Sequence, residues 1–228
     1  DLLIACGMRF DDRVTGNTKT YSPDSKKIHI EVDPSEINKN VKVDLAINGD
    51  LKFVLKNLLP QVKEKKNKAW YKQVSKWRDE SSSRDIINME TEILYGAQVI
   101  SDLWRETNGD AIVVSDVGQH QMLEAQYYKH DEPNTLLTSG GLGTMGFSLP
   151  AAIGASFANR DKDIWVIVGD GSIQMTITEL ATAVQENSNI KIAIINNGYL
   201  GMVRQWQQLF YDSRYSETPI SSPDYVKL

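Results

Sequence analysis

Apolar residues along this chain fall into short aliphatic runs and longer helical spacings. The runs at Leu2–Cys6, Lys27–Val32 and Leu45–Ile47 are brief and rich in Leu, Ile and Val, as strands are. Asp50–Leu59 instead places its apolar residues at 51, 54, 55, 58 and 59, the period of one helix face. Together they predict part of an open α/β sheet over residues 1–59, a short length for a domain on its own. Residues 60–85 are polar and lysine-rich, close on Ser81-Ser82-Ser83, and predict a linker. Trp70, Tyr71 and Trp77 are expected to anchor a helix there by packing.

From residue 86 onward the alternation becomes regular, which predicts a second domain over 86–228. A helix at Thr91–Arg105 is followed by a strand at Ala111–Ser115, and a glycine-rich stretch at 139–146 precedes a helix at Ser148–Ala158. A strand at Ile164–Val168, a helix at Thr178–Glu186, a strand at Ile190–Ile195 and a helix at Leu200–Phe210 complete it. Strands alternating with helices predict a parallel sheet covered by helices on both faces. No repeat or low-complexity tract interrupts the order. The aliphatic start at Leu2 and the apparent first helical turn at Asp224–Leu228 suggest a piece cut from a longer protein.

Composition narrows the field a little. Apolar residues make up 41% and charged residues 24% of the 228, an ordinary globular balance. The net charge of −5 gives no pull towards nucleic acid or an anionic membrane. Lys63–Lys68 is broken by Glu64 and Asn67, so it reads as a solvated face. With one cysteine, Cys6, no intrachain disulfide can form, and a reducing, cytoplasmic setting fits. No run approaches the roughly 20 apolar residues that span a bilayer.

Chemistry concentrates where the strands end, since open parallel sheets bind ligands beyond their carboxyl edge. Asp116-Val117-Gly118-Gln119-His120, Gly169-Asp170-Gly171-Ser172 and Asn196-Asn197-Gly198-Tyr199 each follow a predicted strand. Asp170 offers a hard carboxylate and Asn197 an amide oxygen, a donor set suited to Mg²⁺, which shares its octahedron with phosphates and water. Gly169 and Gly171 admit a close backbone approach to a diphosphate, and Ser172 opens a helix whose amino end favours negative charge. Taken singly, Gly-Asp-Gly and Asn-Asn-Gly are ordinary turns. Taken together they are specific, because Asn197 lies 27 positions after Asp170 (197 − 170).

That pair resembles the thiamine diphosphate motif of the enzymes that use this cofactor. Gly118-Gln119-His120-Gln121-Met122, Ser139 to Gly146, Gly201 to Gln207 and Arg9 to Gly16 look like the acetolactate synthase (acetohydroxyacid synthase) family, and the likeness spans the chain. The resemblance implies that Asp170, Asn197 and the carbonyl of Tyr199 ligate Mg²⁺, with Gly169, Gly171 and Ser172 around the diphosphate. Gln119 and His120 would meet the diphosphate, although His120 could equally face water at a helix start. Gly143 would accept a hydrogen bond from the aminopyrimidine. Met145 would wedge between the cofactor rings, where a thioether fills an irregular gap, or be a plain core residue. Met202 and Trp206, four apart on one helix face, would line the cofactor and substrate channel, or simply pack.

By the same likeness, residues 1–59 are part of a central FAD-binding-type domain. Arg9, Asp11, Arg13, Glu31, Val32 and Asp50 would contact the flavin nucleotide, and Asp12 and Arg13 the channel entrance. No G-x-G-x-x-G occurs, and FAD is implied only for the intact enzyme. The implied reaction joins decarboxylated pyruvate to a second 2-keto acid, giving 2-acetolactate or 2-aceto-2-hydroxybutyrate on the way to branched-chain amino acids. Its essential glutamate would come from an amino-terminal domain of a partner subunit, so no catalytic residue is expected in this chain, and the chain alone is expected to be inactive. A homodimer or homotetramer through the thiamine domains, and a regulatory subunit, follow from the resemblance. Glyoxylate carboligase, pyruvate oxidase or a non-catalytic Mg-diphosphate module are the alternatives.

Overall fold

The computed structural model describes all residues, 1–228. The chain divides into two compact units, Asp1–Gln73 and Val74–Leu228.

In unit 1, strands β1 (Leu2–Cys6), β2 (Lys26–Glu31) and β3 (Leu45–Asn48) form a parallel sheet in the order β1-β2-β3. Between β1 and β2 sits α1 (Asp12–Thr15), a short turn of helix that the apolar pattern does not announce. Helix α2 (Leu51–Leu58) follows β3 and yields to a 3-10 turn at Leu59–Gln61, where Pro60 cannot continue an α-helix. Ala5, Phe10 and Val41 form the small core, flanked by Leu3, Met8, Tyr21 and Val43. Phe10 meets the buried His29 ring edge-on, with centroids 5.0 Å apart. Strand β2 ends at Glu31, one residue before the predicted end, and Val32 is exposed.

Helix α3 (Lys68–Ser82) occupies the predicted linker. Its aromatics lie largely at its surface rather than in a core. Trp70, Tyr71 and Trp77 remain 58%, 68% and 51% exposed.

Unit 2 opens with α4 (Gly96–Glu106), which starts five residues later than predicted. Thr91 Oγ1 accepts the Ile93 N–H at 3.1 Å and Gln98 Oε1 accepts that of Tyr95 at 3.1 Å, so local side-chain bonds hold 91–95 as a turn. Then come β4 (Ile112–Ser115), α5 (Gln119–Tyr127), β5 (Leu136–Thr138), α6 (Ser148–Ala158) and β6 (Ile164–Gly169). Helices α7 (Asp170–Thr176) and α8 (Leu180–Gln185), strand β7 (Ile190–Ile195) and α9 (Gly201–Phe210) complete the unit. The helix predicted at 178–186 is α8, entered through a 3-10 turn at Ile177–Glu179, and the helix expected to open at Ser172 is α7, which begins at Asp170 itself. Helix α5 and the three-residue strand β5 are absent from the sequence reading.

The four strands are parallel in the order β5-β4-β6-β7. Successive strand residues point to opposite faces, and both faces are covered. On one, Ile112, Val114, Ile164, Val166 and Val168 pack with Leu149, Ala152 and Ile153 of α6 and Ile173 of α7. On the other, Val113 and Ile167 pack with Ile100 and Leu103 of α4 and with Tyr128. This two-sided burial explains why β4 and β6 read as continuous apolar runs. It also puts the loops after β4, β6 and β7 at one carboxyl edge.

Leu149 is fully buried between α6 and the sheet, whereas Leu142 is 95% exposed. Leu149→Ala is expected to cost about 2–5 kcal/mol in urea unfolding, while Leu142→Ala should change stability by less than about 0.5 kcal/mol.

Candidate functional site

The three strand-end turns of unit 2 enclose a cavity of about 270 Å³. Gln119, His120, Met145, Gly169, Asp170, Gly171, Ser172, Asn197, Tyr199 and Met202 all line it, so most of the sequence-chosen residues share one site. Gly143 and Trp206 are not in its wall. Gly143 belongs to the exposed bend at 140–144, and Trp206 packs edge-on against Phe210 with centroids 5.3 Å apart. A second opening of about 520 Å³ shares Gln119, Asn197, Tyr199 and Gly201 with the first and adds Arg204, Gln205 and Gln208.

Asp170 sits at the end of β6 and is only 1% exposed. Its Oδ2 accepts the Gly198 N–H at 3.0 Å, which draws the turn after β7 onto the turn after β6. The Ser222 hydroxyl reaches the same oxygen at 3.3 Å. Tyr225 donates its hydroxyl to the Asp170 carbonyl at 2.8 Å, and Gln174 its amide at 3.1 Å. No lysine, arginine or histidine forms an ion pair with this carboxylate. A buried charge without an opposite charge is costly unless something else supplies it.

Asn197 folds back in a turn in which its Oδ1 accepts the Tyr199 N–H at 2.9 Å. Across from it, Leu200 donates to the Thr218 carbonyl at 2.8 Å and Ile220 donates to that of Gly198 at 3.0 Å. These bonds use the carbonyls of Thr218 and Gly198 and leave that of Tyr199 out. An aspartate carboxylate, an amide oxygen and a backbone carbonyl are thereby grouped on adjoining turns, all hard donors. No cluster of three His, Cys, Asp or Glu side chains is present, so a cation held here would draw its remaining ligands from a bound molecule or water.

His120 lies at the start of α5, buried, with its ring against the backbone of Gly169. A Cβ on Gly169 would come within 2.9 Å of His120 Nδ1, so only glycine fits beside this imidazole. Its Nε2 is buried with no partner in the protein. Burial pushes its pKa down to about 4, against the opposing pull of Asp116 and Asp170, so the ring is neutral near pH 7. Gln119 turns away from it, donating to Gln205 Oε1 of α9 at 3.0 Å.

The cavity wall contains no glutamate, lysine or arginine, and Asp170 is its only carboxylate. Arg204 is the cationic side chain of the adjoining opening. The sequence reading misses the groups that brace the site. Ser222 and Tyr225 lie about fifty residues beyond Asp170 with no local motif, and Gly201 has no charge to draw notice.

In unit 1 the residues chosen from sequence have local partners. Asp11 caps α1 through the Val14 N–H at 3.2 Å and pairs with Arg9 at 3.0 Å. Asp50 caps α2 through the Phe53 N–H at 2.9 Å, and Glu31 accepts the Asp33 N–H at 3.0 Å. Asp12 and Arg13 belong to α1.

Residues 116–228 match the model of the thiamine pyrophosphate enzyme C-terminal TPP-binding domain, and residues 1–58 match that of the central domain. An acetolactate synthase large subunit of Corynebacterium glutamicum is 48% identical over 239 residues, covering 100% of this chain and 38% of the relative. The acetolactate synthase isozyme 3 large subunit of Escherichia coli is 43% identical over 238 residues, with 100% and 41% covered. An acetolactate synthase of Mycobacterium leprae is 45% identical over 242 residues, with 100% and 38% covered. The chain spans about two fifths of the length of these curated relatives.

Two outcomes test the site itself. A Cβ at Gly201 would fall 2.2 Å from Gln119 Oε1 and 2.9 Å from Asn197 Nδ2. Gly201→Ala should therefore displace both side chains, visible as a shifted Gln119 in a crystal structure, while helix α9 keeps its stability or gains slightly. The lowered pKa of His120 means that the unfolded chain binds a proton that the folded one refuses between about pH 4 and 6.5. Stability of metal-free protein should rise with pH across that window, and His120→Asn should flatten the rise in urea titrations.

Proposed function

Because the chain belongs to the thiamine pyrophosphate enzyme family, we propose that the unit 2 cavity holds thiamine diphosphate through Mg²⁺ and that the intact protein is an acetolactate synthase large subunit. The observation that carries the reading is Asp170, a buried carboxylate with no cationic side chain, on the wall of a cavity that also lacks lysine and arginine. A diphosphate beside that carboxylate is tolerable only with a divalent cation between them. Asp170, Asn197 and the Tyr199 carbonyl are the groups that would hold it. Gln119, Gly169, Gly171 and Ser172 would approach the phosphates, and the orphaned Nε2 of His120 would donate to one of their oxygens. Met145 and Met202 offer soft apolar surface to the cofactor rings.

The chemistry supplied by bound thiamine diphosphate is that of a nucleophilic ring carbon and an electron sink; the protein's share is position and electrostatics. The overall reaction decarboxylates pyruvate and joins the two-carbon remainder to a second 2-keto acid, giving 2-acetolactate or 2-aceto-2-hydroxybutyrate. This chain's residues bind the cofactor and exclude water around it. The cavity has no glutamate to manage protons on the pyrimidine, so that group would come from another domain or subunit. Assembly through the thiamine domains as a homodimer or homotetramer, and with a regulatory subunit, belongs to the same proposal. The exposed Val203, Trp206, Leu209 and Phe210 on α9 support it as apolar surface open to a partner. No helix is long and apolar enough to cross a membrane, and a cytoplasmic setting is proposed from the biosynthetic role.

A flavin nucleotide fits unit 1 less well. The carboxylates of Asp11, Glu31 and Asp50 are already taken by backbone N–H groups of their own segments. FAD remains a cofactor proposed for the intact enzyme.

Calorimetry on the intact protein tests the reading. Thiamine diphosphate should bind only with a divalent cation, and Asp170→Ala should weaken it by about a hundredfold. Binding that ignored both the cation and the substitution would refute the site. With pyruvate the intact protein should form acetolactate, detectable by product analysis. The 228-residue chain alone should form none.

A further inference from the structure

Asp116, the first residue after β4, is 0% exposed, has no ion-pair partner and is not among the side chains lining the cavity. Three backbone N–H groups converge on its carboxylate. Oδ1 accepts from Val117 at 2.8 Å and from Gly146 at 3.0 Å, and Oδ2 accepts from Ser148 at 2.8 Å. The Ser148 bond alone would be a helix cap, since Ser148 opens α6. The Gly146 bond does something else. It fixes the peptide plane that joins Met145 to Gly146, thirty positions away in sequence (146 − 116).

The next plane, which joins Gly146 to Phe147, is gripped in turn. The Thr176 hydroxyl of α7 donates to the Gly146 carbonyl at 3.1 Å. Gly146 has φ of +84°, and a Cβ there would lie 3.0 Å from Thr176 Cγ2 and 3.1 Å from Met175 Cβ, so the turn has no slack. Its neighbour Met145 projects into the cavity wall, its methyl 3.9 Å from where a Cβ on Gly171 would sit. The depth of the Met145 thioether in the cavity is therefore set by the backbone at Gly146.

We propose that Asp116 is a positioning residue for the cofactor's rings: its carboxylate locks the Met145–Gly146 turn and so holds Met145 where the ring system rests. The proposal builds on the cofactor reading above. It needs a carboxylate in particular. Asparagine offers one acceptor oxygen to three converging donors and turns an NH₂ towards at least one of them, leaving a buried N–H unpaired. The same carboxylate also bonds the N–H of its sequence neighbour Val117, a local bond, whereas Gln119 on the phosphate side is held from α9 by Gln205.

The test separates ring contacts from phosphate contacts in the intact protein. Dissociation constants are measured by calorimetry for thiamine diphosphate with Mg²⁺ and for inorganic pyrophosphate with Mg²⁺. Asp116→Asn should weaken thiamine diphosphate by about tenfold and leave pyrophosphate within about twofold. Met145→Ala should show the same selective loss, and the double variant should lose no more than the worse single one, because both act through one contact. Thr176→Val, a nearly isosteric change at the other grip, should give the same selective loss in smaller measure, and it decides the matter where Asp116→Asn does not fold. Equal losses for both ligands would make Asp116 merely structural and overturn the proposal. So would unchanged affinity for both, or fully additive losses in the double variant. A wild-type protein that bound thiamine diphosphate no better than pyrophosphate would instead remove the ring-binding reading, and this inference with it.

Discussion

A single carboxylate that leaves water without gaining a counter-charge governs the architecture of unit 2. Asp170 follows β6 directly and is 1% exposed; its carboxylate is met by a backbone N–H and one hydroxyl but by no cationic side chain, and a second hydroxyl, that of Tyr225, bonds its carbonyl. Its position requires Gly198, Ser222 and Tyr225 to come to it, and so the turn after β7 and the chain beyond 220 are drawn to the end of β6. Hydrogen bonds moderate the cost of burying such a charge without cancelling it. The surrounding wall supplies no lysine or arginine. A cation placed there, as proposed, would supply the missing opposite charge.

The sheet beneath makes that arrangement possible, and much of it was readable from residues. Ile112 to Ser115 and Ile164 to Val168 are continuous apolar runs because helices cover both faces of β4 and β6. A run of that kind signals a parallel sheet, and a parallel sheet sends its loops to one edge. From there Asp170 and Asn197 followed as candidates by their chemistry and spacing. Less readable were elements whose order comes from tertiary partners. Strand β5 is three half-exposed residues that exist by pairing with β4, and α5 carries Gln, His and Glu on faces that the sheet and the cavity bury. Neither has a period to detect. The helix expected from Thr91 begins only at Gly96, because Thr91 and Gln98 side chains satisfy the backbone in a turn first.

Unit 1 shows the opposite limit. Asp11 and Asp50, expected flavin contacts of the intact enzyme, each stand at a helix start with the carboxylate on a first-turn N–H. An aspartate after a strand and before a helix satisfies both descriptions in sequence, and only the bond partners distinguish them. Trp70, Tyr71 and Trp77 of α3 are likewise ambiguous: a helical aromatic signals packing, but not which surface receives it, and here none of the three is buried in a core.

The two buried aspartates of unit 2 show how that ambiguity is resolved by counting partners rather than by burial. Asp116 and Asp170 are 0% and 1% exposed, both follow strands, and both influence the charge state of His120. Asp116 divides three backbone N–H groups between its two oxygens, so its charge is dispersed into the fold and asks for nothing more. Asp170 receives both of its side-chain bonds on Oδ2. The first pattern is that of an anion consumed by architecture; the second leaves Oδ1 outside both bonds, as the proposed ligand role requires. His120, neutral and with its Nε2 unpaired, stands in the same unfinished state on the donor side. An unfinished acceptor and an unfinished donor on one cavity wall are what a cation–phosphate pair would complete, since each half of that pair answers one of them.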